Sequence, residues 1–509
     1  MLVKIILLIL FFGCMIAVGL YARKSANSMT DFVLGGRSVG PWLSAFAYGT
    51  SYFSAVVFVG YAGQFGWKYG LASTWIGLGN AVIGSLLAWV AMGRRTRVMT
   101  HHLEVATMPD FFGKRYDSNV LRVVASAIAF VFMIPYTASV YNGLSRLFGM
   151  AFDIPYTVCV ITMAVLTGVY VILGGYMATA INDFIQGIIM LFGIVAVIGA
   201  VLSGQGGFIE AVRKLSELPS DVPVTFGQQG AFASFFGTDP LNLLGVIILT
   251  SLGTWGLPQM VHKFYAIKSE KAIKTGTIVS TFFAVIVSGG CYFLGGFGRL
   301  FDAPELYKAD GSMMYDAIIP AMLSTLPDIL IGIVIILVLS ASMSTLSSLV
   351  LTSASTLTLD FIKGNIVKDM DDKKQLIYIR VLIVFFIVVS VVLALNPPTF
   401  IAQLMGISWG ALAGAFLAPF LYGLYWKGVT RAGVWASFIC GVGITVSNMY
   451  FKFIASPINA GAAAMIVGLI VTPAVSLLTP KINSSLVNKI FQCYDNTAKV
   501  SSKEYLKED

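Results

Sequence analysis

Nine serine or threonine hydroxyls stand within the sixteen uncharged residues SASMSTLSSLVLTSAS, 340–355, directly after an apolar run from Ile329 to Leu339. On a helix, Ala341, Ser344, Thr345, Ser348, Thr352 and Ser355 lie along one face, with Ser347 on its flank. Neutral hydroxyl and carbonyl oxygens suit a weakly held, hard monovalent cation, and a helix face supplies them without burying a net charge. The alternative is that each hydroxyl bonds the carbonyl four residues back or a neighbouring helix, but nine in one span is more than packing needs.

Two further stretches could expose backbone oxygens to such an ion. AYGTSYFSA (47–55) and SLGTWGLPQ (251–259) each set a Gly-Thr pair inside an apolar run, the second with Pro258 close behind. Gly and Pro weaken a helix, and carbonyls freed inside lipid must find partners in protein, water or ligand. Glycines can instead serve close helix packing, but two matched interruptions point to the binding site of an inverted-repeat carrier. Asp183, in GGYMATAINDFIQGIIMLFG, lies closest among the carboxylates to the interior of an apolar span. An acid there is a candidate cation ligand or proton carrier, unless it merely caps free amides at a helix start. Ser408 in GISWG fits a nucleophile pattern. However, His101, His102 and His262 all read as loop residues and no lysine falls mid-span nearby, so no base serves it and no enzyme is expected.

The elements that must position these groups are membrane helices. Hydrophobic residues make up 57% of the 509-residue chain and charged ones 11%, less than half the charge usual in soluble domains. Apolar runs long enough to cross a bilayer centre near residues 12, 54, 82, 133, 165, 192, 248, 286, 340, 388, 414, 442 and 469. The first run continues to Arg23 without a small-residue cleavage site, and so reads as a retained helix rather than a signal peptide. With the N-terminus outside, about 25 of the 33 basic residues fall in inner loops, among them Arg94, Arg95, Arg97, Lys263, Lys268 and Lys368. The net charge of +9 then reports topology and calls for no nucleic acid. The larger outer connections are 204–238 and 302–326, and the inner tail from Lys481 reads as polar and frayed or lying on the membrane surface. The sequon Asn483-Ser484-Ser485 falls on the inner side and should be unused. Cysteine spacing suggests neither a disulfide framework nor a zinc site.

Across roughly residues 1–480, and most specifically in DFVLGGRSVGPWLSAFAYGTSYFSA, GGYMATAINDFIQG and SASMSTLSSLVLTSAS, the chain resembles the sodium:solute symporter family, whose bacterial members carry proline, pantothenate and other small solutes. The resemblance implies an all-helical membrane fold of thirteen spans with a leucine-transporter-like 5+5 inverted-repeat core. It divides the chain into an extra helix (1–26), a first repeat (38–203), a second repeat (239–427), two peripheral helices (431–480) and a cytoplasmic tail (481–509). It places a first sodium on the carbonyls of Thr50, Phe53 and Ala341 and the hydroxyls of Ser344 and Thr345. A second sodium, held in some members, would use Asp183, Ser344, Ser347 and Ser348.

The solute pocket is expected between the breaks and the fourth and eleventh helices, at Ser54, Tyr136, Thr254, Trp255, Gln259 and Trp409. Proline carriers have an aspartate where this chain has Tyr52, and a Trp and Tyr where it has Thr250 and Thr254, which argues against proline; polar groups expected of sugar carriers are missing from ASTWIGLGNAVIG. The implied function is sodium-coupled symport of a small organic solute (an amino acid, a pantothenate-like compound or a monocarboxylate) across the cell membrane, with no obligate protein partner. The rivals are a proton-coupled carrier in which Asp183 titrates, and a transporter-like nutrient sensor or channel.

Overall fold

The computed structural model describes residues 2–25, 28–152, 154–220, 230–363, 365–367, 369–397 and 399–505. Lys368, residues 221–229 of the first outer connection, residue 26 and the tail residues 506–509 lie outside them. The described residues are almost wholly helical, with three isolated bridge pairs and no strand.

Among the described residues, ten helices are long and apolar enough to cross a membrane, and a bent pair makes eleven. Two of these runs hold more than one crossing. The 49 residues of Tyr156–Gly204 would reach about 74 Å, more than twice a hydrocarbon core. The chain turns at Gly175, where φ is +54° and a Cβ would stand 2.6 Å from the Phe32 carbonyl oxygen, so only glycine fits. A second turn lies at Gly70, φ +58°, where a Cβ would overlap the Phe232 carbonyl oxygen. Dividing the runs there gives thirteen passes among the described residues, at the places the apolar runs predict.

The passes are α1 (Leu2–Ala22), α2a (Pro41–Tyr52) with α2b (56–69), α3 (74–102), α4 (Asn119–Phe152), α5 (156–174) and α6 (176–204). There follow α7a (Pro240–Gly256) with α7b (Pro258–Tyr265), α8 (Glu270–Gly295), α9 (328–362), α10 (Asp372–Leu395), α11 (Ile401–Tyr425), α12 (Arg431–Phe451) and α13 (Pro457–Leu478). α9 is the axis of the bundle, and every residue from Leu337 to Thr356 is buried. A helix buried on all sides is stable only when surrounded; α9 packs on α5 and α6, α4, α10, α1 and α2a. Lys4 of α1 is tied to Asp328 at its start (Nζ–Oδ1 2.8 Å).

Of the two expectations for the tail, fraying is not what residues 484–505 show. Ser484–Tyr505 forms a helix, α14, whose Val487, Ile490 and Phe491 are buried. It docks on the end of α3: the Arg95 guanidinium lies 4.6 Å from the Tyr494 ring, and Tyr494 donates to the Leu424 carbonyl at 3.0 Å. A polar composition hid an amphipathic face.

Candidate functional site

α2 opens at Phe53, whose backbone is extended (φ −99°, ψ 125°), and α7 opens at Leu257 (φ −83°, ψ 121°), with the two halves of α7 bent by 44°. The breaks therefore fall a turn beyond the Gly-Thr pairs rather than on them. Gly49 and Gly253 stay helical and serve close packing, since a Cβ would stand 2.6 Å from the ring of Phe283 or of Trp409. Gly49, Thr50 and Phe53 match Gly253, Thr254 and Leu257 in spacing, so the same local geometry occurs twice.

The hydroxyl face of α9 meets the α2 break. Thr345 Oγ1 stands 3.1 Å from the carbonyl oxygen of Ala341, 3.2 Å from that of Phe53, 3.3 Å from Ser51 and 3.5 Å from Thr50. A hydroxyl has one proton to donate, so four converging carbonyls leave an excess of electron-rich oxygen at one point. Ser344 donates to Thr50 Oγ1 (2.7 Å), Ser342 accepts from the Ala55 amide (3.1 Å), and Ser348 Oγ pairs with Ser51 Oγ (2.8 Å). Thr50, Phe53, Ala341, Ser344 and Thr345 are thus brought together around one spot. Other hydroxyls follow the bland alternative, Ser347 donating to the Ser344 carbonyl and Ser355 to that of Leu351. Among the described residues no cluster of three or more His, Cys, Asp or Glu offers a harder-binding metal centre.

Asp183 is fully buried in α6, and both its oxygens lack a hydrogen-bond partner. Its counter-charge is Lys263 (Nζ–Oδ2 3.5 Å), 2% exposed, which also donates to Ser348 Oγ at 2.9 Å. Reading Lys263 and His262 as loop residues is therefore wrong. Pro258 at the first position of α7b restarts the helix and carries both residues inside the span. A charge reads as aqueous in a linear sequence, whereas here a carboxylate 80 positions away neutralises it.

Of the expected pocket residues, Tyr136 and Trp409 pack edge to face (centroids 5.8 Å), and Tyr52 stacks on Trp409 (5.7 Å) while donating to the Thr250 carbonyl at 2.7 Å. Ser54 lies in the α2 break; its hydroxyl accepts from the Val56 amide at 3.2 Å and sits beside Tyr136, and its carbonyl accepts from the Val57 and Phe58 amides. The Tyr136 hydroxyl, the Trp409 indole N–H and both amide atoms of Gln259 are buried without a partner. Thr254 and Trp255 instead face α3, donating to the carbonyls of Gly84 (3.0 Å) and Ile83 (2.9 Å). Tyr52 was missed as a wall residue although its place in the break could have shown it. Ser408 donates to the Phe132 carbonyl.

The two ends of the site differ. At one, Val39 pairs with the strand-like turn after α7b (Val39 N to Ala266 O 3.2 Å, Lys268 N to Val39 O 3.0 Å), and Arg97 clamps the carbonyls of Ile267 (2.9 Å) and Lys268 (2.8 Å). At the other, a cavity of about 660 Å³ opens beside Gln64, Lys68, Asn242, Arg299, Gln403 and Asn459. The first end is bridged by these bonds, and the cavity at the second is lined by none of the expected solute residues.

The chain is similar over most of its length to known membrane carriers. Sodium/proline symporters of Staphylococcus aureus strains JH9 and USA300 are each 30% identical to the chain over 495 residues, covering 94% of it and 93% of their own length. The structure of a Na+-coupled sialic acid symporter in a substrate-bound outward-open state superposes with a TM-score of 0.76 at 16% identity, covering 94% of this chain and 98% of that one. Mhp1, a nucleobase-cation-symport-1 family transporter, in a closed conformation, superposes at 0.54 and 13% identity over 91% of this chain and 98% of its own. These two share the leucine-transporter-like inverted-repeat fold. Residues 32–441 match the sequence model of the Sodium:solute symporter family, and the chain belongs to that family.

Proposed function

We propose that this membrane protein, a sodium-coupled symporter and not an enzyme, binds its driving ion between the α2 break and α9 and carries a small organic solute into the cell. The observation that carries the reading is the convergence of the Thr50, Phe53 and Ala341 carbonyls on the Thr345 hydroxyl, with Ser344 alongside. Sodium there joins the broken helix of the first repeat (38–203) to the second repeat (239–427).

The solute is an amino acid, a pantothenate-like compound or a monocarboxylate. Its apolar part lies on Tyr136 and Trp409, and Ser54 and Gln259 meet its polar groups. Tyr52 stands where proline carriers have an acid, and its hydroxyl is engaged with Thr250, so proline itself is disfavoured. The N-terminus lies outside and the tail inside, which makes the bridged end cytoplasmic and the cavity an external vestibule. Solute and sodium enter there, the repeats rock, the Val39–Arg97 closure opens, and both leave inward. Coupling requires each to bind better when the other is present.

One sodium moving down 100 mV supplies about 2.3 kcal/mol, and a tenfold gradient adds about 1.4 kcal/mol. Together these sustain roughly 500-fold accumulation of a neutral solute. A thermal-shift screen of the purified protein against amino acids, monocarboxylates, pantothenate and sugars, in sodium and in potassium, tests the reading. A ligand at a hundred times its Kd stabilises by about 2.7 kcal/mol. A carboxylate-bearing hit seen only in sodium supports the proposal. Hits that ignore sodium and follow pH favour proton coupling through Asp183 instead.

A further inference from the structure

Asp183 and Ser348, two groups suited to a second sodium, already hold a cation. The Lys263 ammonium stands 2.9 Å from Ser348 Oγ and 3.5 Å from Asp183 Oδ2, and lies 5.2 Å from the Tyr176 ring centroid. All three partners are buried, as is Lys263 itself. Of the neighbouring hydroxyls, Ser347 donates to the Ser344 carbonyl, and Ser344, which lies beside Asp183, gives its proton to Thr50. Sodium and ammonium both carry one positive charge, and each seeks a carboxylate and neutral oxygens. Two such charges at one carboxylate in a water-poor interior repel strongly, whereas a buried carboxylate with none is unstable.

We propose that Lys263 is a tethered second cation, which excludes a second sodium and limits coupling to one sodium per solute. The inference rests on the sodium reading given above. It makes Lys263 a stoichiometry-determining residue, and it ties α7b, the inner half of the second broken helix, to α6 and α9. The tether differs from a free ion in that it does not leave at each turnover. The corner therefore contributes structure to every cycle and no driving force.

Equilibrium binding of radiolabelled sodium to the purified full-length protein, with choline as balancing cation, counts the sites without knowledge of the solute. The wild type is expected to bind one sodium per chain. Lys263→Ala frees Asp183 and should bind two, with added sodium raising its thermal midpoint more than that of the wild type. The double variant Lys263→Ala/Asp183→Asn should return to one. Two sodium ions on the wild type, or one on folded Lys263→Ala, overturns the proposal.

If Lys263→Ala does not survive purification, Asp183→Asn decides. The proposal expects it to keep one sodium, whereas complete loss would mean that Asp183 ligates the driving ion and would overturn the assignment. No sodium on the wild type would overturn the sodium reading itself, an outcome distinct from a miscount.

Discussion

Thr345 and Ser344 carry the strongest expectation at the scale of a single residue. The Thr345 hydroxyl is the side-chain oxygen at the focus of four carbonyls, and Ser344 holds the Thr50 hydroxyl beside them. Thr345→Ala removes an oxygen from the proposed shell of the ion and should raise the sodium concentration for half-maximal uptake about tenfold or more, equal to a loss of about 1.4 kcal/mol. Thr345→Ser, which keeps the oxygen, should change it little. Sodium titrations of uptake in proteoliposomes check both, and an unchanged sodium requirement in Thr345→Ala would remove the assigned site. On the solute side, Trp409 touches both Tyr52 and Tyr136. Trp409→Ala should therefore raise the KM for solute while leaving the count of bound sodium unchanged.

At the scale of elements, the proposed inner closure depends on a few backbone carbonyls. Arg97 alone holds those of Ile267 and Lys268 beside the Val39 pairing. Hydrogen bonds to a charged donor are worth about 1.5–3 kcal/mol, comparable to the gap between two carrier states. Arg97→Ala should thus shift the population toward the inward-open state, read as faster labelling from the inner side of a cysteine placed near the α2 break. Unchanged labelling would mean that the Val39 pairing suffices.

The loop between α8 and α9 gives a pH signature. Asp316 accepts from the Ile401 amide at the start of α11 (3.4 Å). Burial pushes its carboxyl up to about 6, against the opposing pull of that amide, Arg146 and Lys308. The folded chain therefore holds this proton more tightly than the unfolded chain. The stabilisation from Asp316 is fully present below about pH 4 and is lost as pH rises through about 6. Asp316→Asn should flatten the thermal midpoint between pH 4 and 6, where the wild type gains from this group on acidification. A slope the same in both proteins would assign it to other carboxylates.

At the scale of the whole molecule, the number of coupled ions sets the ceiling on accumulation. One sodium under 100 mV and a tenfold gradient sustains roughly 500-fold for a neutral solute, and two would sustain the square of that. With Lys263 in the second cation position, the steady-state ratio in proteoliposomes should level off near the first value. A ratio well above it at those gradients would require a second driving ion.

Composition and spacing were enough for the thirteen-pass architecture. Crossing a bilayer needs about twenty apolar residues, a one-dimensional property, and the runs fall where the passes lie. The pairing of the two breaks was also legible, because both halves of a repeated fold carry the same local signal. So was the hydroxyl face of α9 that meets the α2 break, because a helix face follows from residue spacing alone.

What only the tertiary structure decided depends on partners far apart in the chain. The breaks sit at Phe53 and Leu257 rather than at the Gly-Thr pairs, because the glycines are used for contact with Phe283 and Trp409. Thr254 and Trp255 are turned to α3, and α14 docks on Arg95. Lys263 lies inside the bundle because Asp183 and Ser348, on other helices, neutralise and bond it. A sequence shows that a charge is present; whether that charge faces water or a buried counter-charge is fixed only when the helices pack.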